Sequence, residues 1–417
     1  MRVVTSKRPM KSDRERGSAS LRVRRQKARQ REFASAKPGR KAMNLESTND
    51  KDQKYNMTFC VLSGIAIVMI VAGHVGYNIL TVGELFPYYS FHVPLFLFIS
   101  GYFYREEEEA APLAYFLKKI KRLLMPYFIW NLIYGILAWL LRLNGFTMGE
   151  DISFQTLFLS PFLHGYQFIY NYAAWFVPVL FVIEIMNMVM RLLLKKLHLC
   201  YESFILAGSL LVGMAVVWLA IGGHVWGLYK APGRILFLYP CFQMGQFYRR
   251  ELEKHDTLGN LPYFVVVIGL QLILTFSCNG LAYSSVWCTS FANGPLIPYV
   301  TTVSGIAFWL RIAKILTPLL HKSKGITYLG RNTYTVMMHH VMAFMLIKMV
   351  IAAFAAHTTW FADFDMELYR SNIDYYYMVK GAEQFKMVYL LAGVMLPLLL
   401  QYGLDRISGK IKENRNK

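Results

Sequence analysis

The feature that most constrains this chain is a series of long apolar stretches. Runs of mostly apolar residues recur from Thr58 to Leu404, and a helix needs about 20 such residues to cross the hydrocarbon core of a bilayer. Hydrophobic residues make up 55% of the chain and charged residues only 17%, a balance that soluble domains rarely show. The sequence therefore predicts an all-α, polytopic integral membrane protein.

Ten apolar runs are bounded by charged residues or by Gly and Pro clusters, and each predicts a transmembrane helix. The bounds of the second are the least defined. The segment 154–170 is either a loop or an interfacial or re-entrant helix. The ten predicted spans are 58–80, 88–104, 123–141, 173–192, 204–222, 232–248, 261–278, 296–313, 333–355 and 386–404.

Lys and Arg are concentrated in every second loop between these spans. The long 142–172 loop carries Arg142 alone, whereas the short loop before the third span is rich in Lys and Arg. Because cytoplasmic loops of membrane proteins are enriched in basic residues, the alternation predicts that both termini are cytoplasmic.

The net charge of +20 is concentrated in an N-terminal tail. Residues 1–42 hold fifteen basic and three acidic residues, a net charge of +12, which leaves +8 for the rest. This distribution argues against nucleic-acid binding by the chain as a whole. Such a tail buries too little surface to fold alone. It binds anionic lipid, is an incidental charged arm, or is not translated in vivo, in which case Met43 is the true start.

These patterns divide the chain into three parts. We predict a disordered basic cytoplasmic tail over 1–56, a transmembrane domain over 57–405 and a second basic cytoplasmic tail over 406–417. The five cysteines have no metal-type spacing, so no metal site is expected. Cys278 and Cys288 either pair in an outer loop or stay free.

Two histidines lie where lipid would disfavour them. His74 is about 16 residues, roughly 24 Å, from the inner end of the first span. His92 lies about four residues from the outer end of the second span, so the two are expected at similar depth. Imidazole titrates near neutrality and can take a proton from a sugar hydroxyl. The structural alternative is a hydrogen bond between helices.

Three further intramembrane residues are candidates. His339 and His340 lie about seven residues into the ninth span, in its predicted inner half. Neighbouring helix positions diverge by about 100°, so at most one is expected to face a given site. Glu184 either takes part in the chemistry or forms an interhelical hydrogen bond or ion pair.

A basic cluster precedes the third span at the predicted inner surface. An anionic cofactor would bind there, although positive-inside topology alone also explains such a cluster. The nearby acidic run 106–109 is interpreted as a solvated face. The cluster consists of Lys118, Lys119, Lys121 and Arg122.

Several motifs, in order over about 55–405, resemble the acyltransferase-3 superfamily of membrane acyltransferases, and more closely its fucose 4-O-acetylase-like branch. Each motif alone is weak, but coincidence in order and spacing is improbable. The motifs are Gly64-Ile-Ala-Ile-Val-Met-Ile-Val-Ala-Gly-His74, Phe91-His92-Val-Pro-Leu-Phe96, Ile99-Ser100-Gly101-Tyr102, Lys121-Arg122-Leu-Leu-Met-Pro126-Tyr127 with Trp130, Trp175-Phe176, and Leu329-Gly330-Arg-Asn332-Thr333 leading to His339-His340.

The resemblance implies an O-acetyltransferase, an enzyme that transfers acyl groups other than amino-acyl groups. The donor would be acetyl-CoA. The acceptor would be a carbohydrate hydroxyl in a polysaccharide or lipid-linked sugar of the envelope or of exported material. The protein would be multi-pass in the inner (plasma) membrane. His74 would be the general base, and His92 would orient the acceptor or stabilise the oxyanion.

On the donor side, Lys118, Lys119, Lys121 and Arg122 would bind the CoA phosphates, and His339 would contribute to the cofactor site. One position departs from the family: Ser63 stands where many members carry an arginine. A transporter or flippase for a lipid-linked sugar is the main alternative function, and CoA dependence distinguishes the two. A purely structural membrane protein is the third, and it leaves the intramembrane histidines without a role.

Overall fold

The computed structural model of the chain describes residues 56–76, 80–82, 84–147, 150–165, 168–361, 364–371 and 385–415. These residues form helices joined by turns and loops. Within the described ranges no strand is present beyond one isolated bridge between Ser284 and Thr289. The main helices are α1 (Met57–His74), α2 (His92–Tyr102), α3 (Pro112–Leu143), α4 (Phe176–Lys196), α5 (Glu202–Ile221), α6 (Lys230–Phe247), α7 (Asn260–Ser277), α8 (Ile297–Leu320), α9 (Lys324–Arg331), α10 (Thr333–His357) and α11 (Lys386–Arg415).

The predicted all-α, polytopic architecture is confirmed. In the described part of the chain, eight helices are long and apolar enough to cross a membrane: α1, α3, α4, α5, α7, α8, α10 and α11. The other two predicted spans are helical but differ. α2 has 11 residues, about 16 Å at 1.5 Å per residue, and α6 carries buried Arg234, Gln243 and Gln246. Residues 1–55 of the predicted 1–56 tail lie outside the described residues.

Helix α1 lies at the centre of the bundle. It contacts α2, α8, α9, α10 and α11. Two thirds of the residues in its apolar 18-residue stretch are buried, whereas the corresponding fractions are 17% in α7 and 22% in α5. Exposed Leu, Val and Phe side chains on α5 and α7 face outward, as expected for lipid-facing helices.

Helices α2 and α6 cross with their backbones in contact. A Cβ placed on Gly101 would lie 1.9 Å from the carbonyl oxygen of Phe242, and one on Gly245 would lie 2.0 Å from that of Phe98. Only glycine allows this approach, as in close helix crossings in membranes. The crossing fixes α2, and therefore His92 at its start, against α6.

An ionic network closes the predicted inner end of α4, α5 and α6. Arg191 is only 1% exposed and pairs with Glu109 at 2.8 Å, Glu202 at 2.9 Å and Glu106 at 3.0 Å. The interpretation of 106–109 as a solvated face is therefore wrong for Glu109, which is buried. Its paired cations lie on a different helix, so the sequence pattern alone did not reveal them. Cys278 and Cys288 are both free.

Candidate functional site

His74 ends helix α1 and meets two other elements. The helix stops because Gly76 adopts a left-handed φ of 65°, which suits a residue without a Cβ. The Nδ1 atom of His74 lies 2.7 Å from the hydroxyl oxygen of Tyr172, in the short 3₁₀ segment Ile169–Trp175. The ring of His340 in α10 stacks on the His74 ring, with centroids 5.1 Å apart and an interplanar angle of 25°.

The tautomer of His340 follows from its backbone contact. Its Nδ1 lies 2.9 Å from the carbonyl oxygen of Val336, and because a carbonyl only accepts, Nδ1 carries the proton and donates it. The Nε2 atom of a neutral ring then presents a lone pair. This atom is buried and has no hydrogen-bond partner in the described part of the chain. A buried polar atom without a partner is costly and calls for an explanation, and a bound hydroxyl is one.

His92 is held in the same way at the start of α2. Its Nδ1 donates to the carbonyl oxygen of Tyr88, so its Nε2 is also an acceptor when the ring is neutral. The ring of Tyr89 packs edge-on against His92, with centroids 5.1 Å apart. The Tyr89 hydroxyl lies 3.5 Å from the carbonyl oxygen of Gly73, directly before His74.

The turn before His92 is fixed from the other side. The hydroxyls of Tyr283 and Thr302 both donate to the carbonyl oxygen of Ser90, each at 2.8 Å. The ring of Phe91 is fully buried and lies against Gly305, where any Cβ would be 2.6 Å from it. Phe91 thus orients the neighbouring His92, because the Phe91 ring packs tightly against Gly305 of α8.

The sequence predicted that His74 lies about 24 Å from the inner end of its span and that His339 and His340 lie in the inner half of theirs. For His340 this difference in depth is wrong, because its ring stacks on that of His74. Counting residues from the start of α10 gave a distance of His340 from the inner surface that was too short. The preceding helix α9 packs along the beginning of α1, so α10 begins deeper in the bundle than the count assumes. A Cβ on Gly330 would lie 2.3 Å from the Cys60 carbonyl oxygen, and Leu329 contacts Gly64. The number of residues from Leu329 to His340 is then about the same as the number from Gly64 to His74, so the two histidine rings lie at the same depth and are in contact.

As expected for neighbouring positions, only one histidine of that pair faces His74. His339 lies on another face of α10, where its Nδ1 is 2.8 Å from the hydroxyl of Tyr134 and its ring is 4.3 Å from that of Trp130. Both partners belong to α3, the helix that carries the basic cluster. His340, which the sequence offered as a candidate, and Tyr172, which it did not single out, both contact His74.

The predicted cofactor cluster lies at a π-helical turn of α3, Ile120–Leu124, and such turns are frequent at functional sites. Lys118 pairs with Glu108 and Lys119 with Glu184, each at 2.5 Å. For Glu184 the structure thus gives the interhelical ion pair. Within the described ranges, Lys121 and Arg122 have no ion pair, and both are exposed.

Ser100, in the second of the family-like motifs of α2, donates its hydroxyl proton to the Phe96 carbonyl oxygen at 2.9 Å. This back-bond to the preceding turn is the usual arrangement of a helical serine. The adjacent Gly101 makes the close contact with Phe242 of α6.

Comparison with known protein families gives one match. The family model described as "Acyltransferase domain", acyltransferase-3, matches residues 61–402, so the match spans all the elements of the histidine site. It does not separate the fucose 4-O-acetylase-like branch from the rest of the family, and it gives no support to a transporter. The searches of curated proteins and of solved structures returned no match. The chain belongs to the acyltransferase-3 family and is a multi-pass membrane acyltransferase.

Proposed function

We propose that this acyltransferase is an O-acetyltransferase that moves an acetyl group from acetyl-CoA to a carbohydrate hydroxyl. The observation that supports it most is the cluster of His74, His340 and Tyr172, beside which His92 is anchored. Acyl transfer to an alcohol needs a base near the attacking oxygen. Two neutral imidazoles with a free Nε2 lone pair are also suited to accept hydrogen bonds from the several hydroxyls of a sugar.

His74 acts as the general base in this proposal. With its Nδ1 proton donated to the oxygen of Tyr172, its Nε2 carries the lone pair that takes the proton of the acceptor hydroxyl. The resulting imidazolium is stabilised by the same contact, the logic by which an orienting partner serves a catalytic histidine.

The bond changes balance without a further reactant. The acceptor oxygen attacks the thioester carbonyl carbon as its proton passes to His74, the carbon–sulfur bond then breaks, and His74 returns the proton to the CoA sulfur. The products are the acetyl ester and free CoA.

His92 orients the acceptor in this scheme. Because its Nδ1 proton is donated to the Tyr88 carbonyl, its Nε2 has no proton with which to stabilise an oxyanion while the ring is neutral. Of the two roles predicted for His92, we therefore favour orientation of the acceptor hydroxyl.

The donor would bind from the inner surface. Lys121 and Arg122 are exposed and have no ion pair in the described ranges, so they are suited to the CoA phosphates, as Lys and Arg generally are. Lys118 and Lys119, which already pair with glutamates, contribute to the positive field there. His339 and its partner Tyr134 extend this path into the bundle, in keeping with a cofactor role.

We place the protein in the inner (plasma) membrane, with a polysaccharide or lipid-linked sugar of the envelope as acceptor. The test is transfer of label from radiolabelled acetyl-CoA to envelope glycan by membranes that contain the wild type or only an empty vector. We expect base-labile label in glycan with the wild type alone, and mass spectrometry then identifies the acceptor. Folded protein that labels no envelope glycan contradicts the proposal.

A further inference from the structure

Arg234 is a fully buried arginine for which the described part of the chain offers no partner. Its side chain lies in the second turn of α6 and is 0% exposed. Nε, Nη1 and Nη2 all lack a hydrogen-bond partner among the described residues. A guanidinium has five N–H donors and is always charged, and removing an unpaired charge from water is costly. A buried guanidinium of this kind is suited to bind an anionic ligand.

The guanidinium of Arg234 lies between an aromatic ring and a stretch of backbone. The ring of Trp175 covers the guanidinium, with 5.3 Å from its centroid to Cζ. On another side lies the backbone of Gly165, whose φ is 113° and where a Cβ would be 2.7 Å from Nη1. An aromatic face orients a guanidinium and leaves its in-plane donors for an oxyanion.

A second cation lies one helical turn away. Lys230 precedes Arg234 by four residues and therefore shares its face of α6. Its Nζ is 4.3 Å from the ring centroid of Trp287 and 5.3 Å from that of Trp226, and no ion pair is found for it in the described ranges. This end of α6 thus presents two cations and three tryptophans, a composition suited to a negatively charged sugar.

The guanidinium is close to the proposed catalytic site. Trp175, which covers Arg234, lies three residues after Tyr172, the partner of His74. Three residues of 3₁₀-helix rise about 6 Å, so the backbone positions of Tyr172 and Trp175 are one turn apart.

We propose that Arg234, with Lys230 beside it, binds a carboxylate or phosphate group of the acceptor, which makes the acceptor an anionic carbohydrate. The acidic group pairs with Arg234, the sugar rings lie against Trp175, and the hydroxyl to be acetylated faces His74. The carbohydrate nature of the ligand rests on the proposed function, whereas anion binding by Arg234 does not.

The first test measures binding without acetyl-CoA or turnover. The thermal stability of the purified full-length protein in detergent is followed with glucuronate, glucose 6-phosphate and glucose at millimolar concentrations and matched ionic strength. A ligand that binds only the folded state raises Tm. We expect a rise with one or both acids and none with glucose, and the acid that acts distinguishes carboxylate from phosphate. Equal effects of glucose and the acids overturn the proposal.

Two buried arginines give a matched pair of variants. Arg234→Met removes an unpaired charge, so we expect Tm without ligand to rise by about 2 °C or more and the response to the acids to be lost. Arg191→Met removes a charge paired with three glutamates, and we expect a fall in Tm. A fall for Arg234→Met, or an unchanged response of this variant to the acids, overturns the proposal.

The experiments distinguish failure of the proposed anion site from failure of the proposed acetyltransferase function. Acids that stabilise the wild type through Arg234, with no acetyl transfer to any glycan, leave the anion site standing and contradict the proposed function. Transfer to a neutral glycan at full rate by Arg234→Met contradicts the anion site and leaves the acetyltransferase standing.

Discussion

At the residue scale, the site depends on which nitrogen of each imidazole carries the proton. His92 and His340 donate Nδ1–H to the carbonyl oxygen four residues earlier in the chain, and so both present Nε2 as an acceptor. His74 differs, because its Nδ1 faces the Tyr172 hydroxyl, which can donate or accept. It is thus the one histidine of the three whose Nδ1 partner does not by itself fix the tautomer. The proposed mechanism assigns it Nδ1–H, which leaves Nε2 as the base.

Replacing Tyr172 by Phe should slow acetyl transfer without unfolding the protein. The variant loses the hydrogen bond that orients His74, and a hydrogen bond to a charged group contributes about 1.5–3 kcal/mol, or about ten- to a hundredfold in rate. The measurement is kcat for transfer by the purified variant. Tyr229→Phe, at an exposed tyrosine, is the control. A rate equal to that of the control contradicts the role given to Tyr172.

At the element scale, helix α3 connects the predicted inner surface with the interior of the site. Its π-helical turn carries Lys121 and Arg122, and Trp130 and Tyr134 farther along contact His339. One helix therefore presents the exposed cations at one end and the contacts to α10 near its middle, the geometry expected for a cofactor that enters from one surface.

Replacing Lys121 and Arg122 together by Gln should weaken acetyl-CoA binding. We expect KM for acetyl-CoA to rise about tenfold or more with kcat little changed, because the lost contacts are to the phosphates and not to the reacting thioester. Steady-state kinetics with varied acetyl-CoA measure both constants. Lys196→Gln removes another exposed lysine at the predicted inner surface and should have no effect; an unchanged KM in the double variant refutes the predicted CoA site.

Hydropathy predicted most elements correctly, because the length and polarity of each span follow from the bilayer. It did not predict that α2 has only 11 residues, since the apolar run continues on either side of the helix. Nor did it predict the partnership of His340 with His74. That contact depends on where α9 packs along α1, which is set by the contact of Gly330 with Cys60. Residue counts along a single helix do not reveal how two helices are positioned against each other. The sequence did not single out Arg234 either, because its burial depends on Trp175 and Gly165, which lie far from it in the chain.

At the scale of the whole molecule, buried ion pairs close the predicted inner end of the bundle in two places. One is the network of Arg191. The other joins Asp256 to Arg311 at 2.5 Å and to Lys314 at 2.6 Å, with the Tyr248 hydroxyl at 3.1 Å. Burial alone would raise the pKa of Asp256, but the hydrogen bond and charge of Lys314 and the charge of Arg311 outweigh it and lower the pKa below 3.8.

Asp256→Asn should therefore lower Tm at neutral pH, because it leaves two cations without their anion. A carboxyl whose pKa is lowered by folding stabilises the protein above its unfolded pKa, and this contribution is lost as the pH falls through the folded value. We thus expect the Tm difference from wild type to shrink below pH 3.8. Asp151→Asn, at an exposed ion pair with Arg142, should change Tm little at either pH. A constant Tm difference across this range contradicts the assignment.

The most direct test of the central claim is acetyl transfer from acetyl-CoA to the identified glycan by purified protein, compared among the wild type, His74→Ala, His340→Ala and His357→Ala. His357 is exposed at the end of α10 and serves as the matched control. General acid–base catalysis contributes about 10²–10⁴-fold. We therefore predict at least about a hundredfold lower rate for His74→Ala, a clear loss for His340→Ala and none for His357→Ala, all with unchanged Tm. A folded His74→Ala protein as active as the wild type would contradict the account.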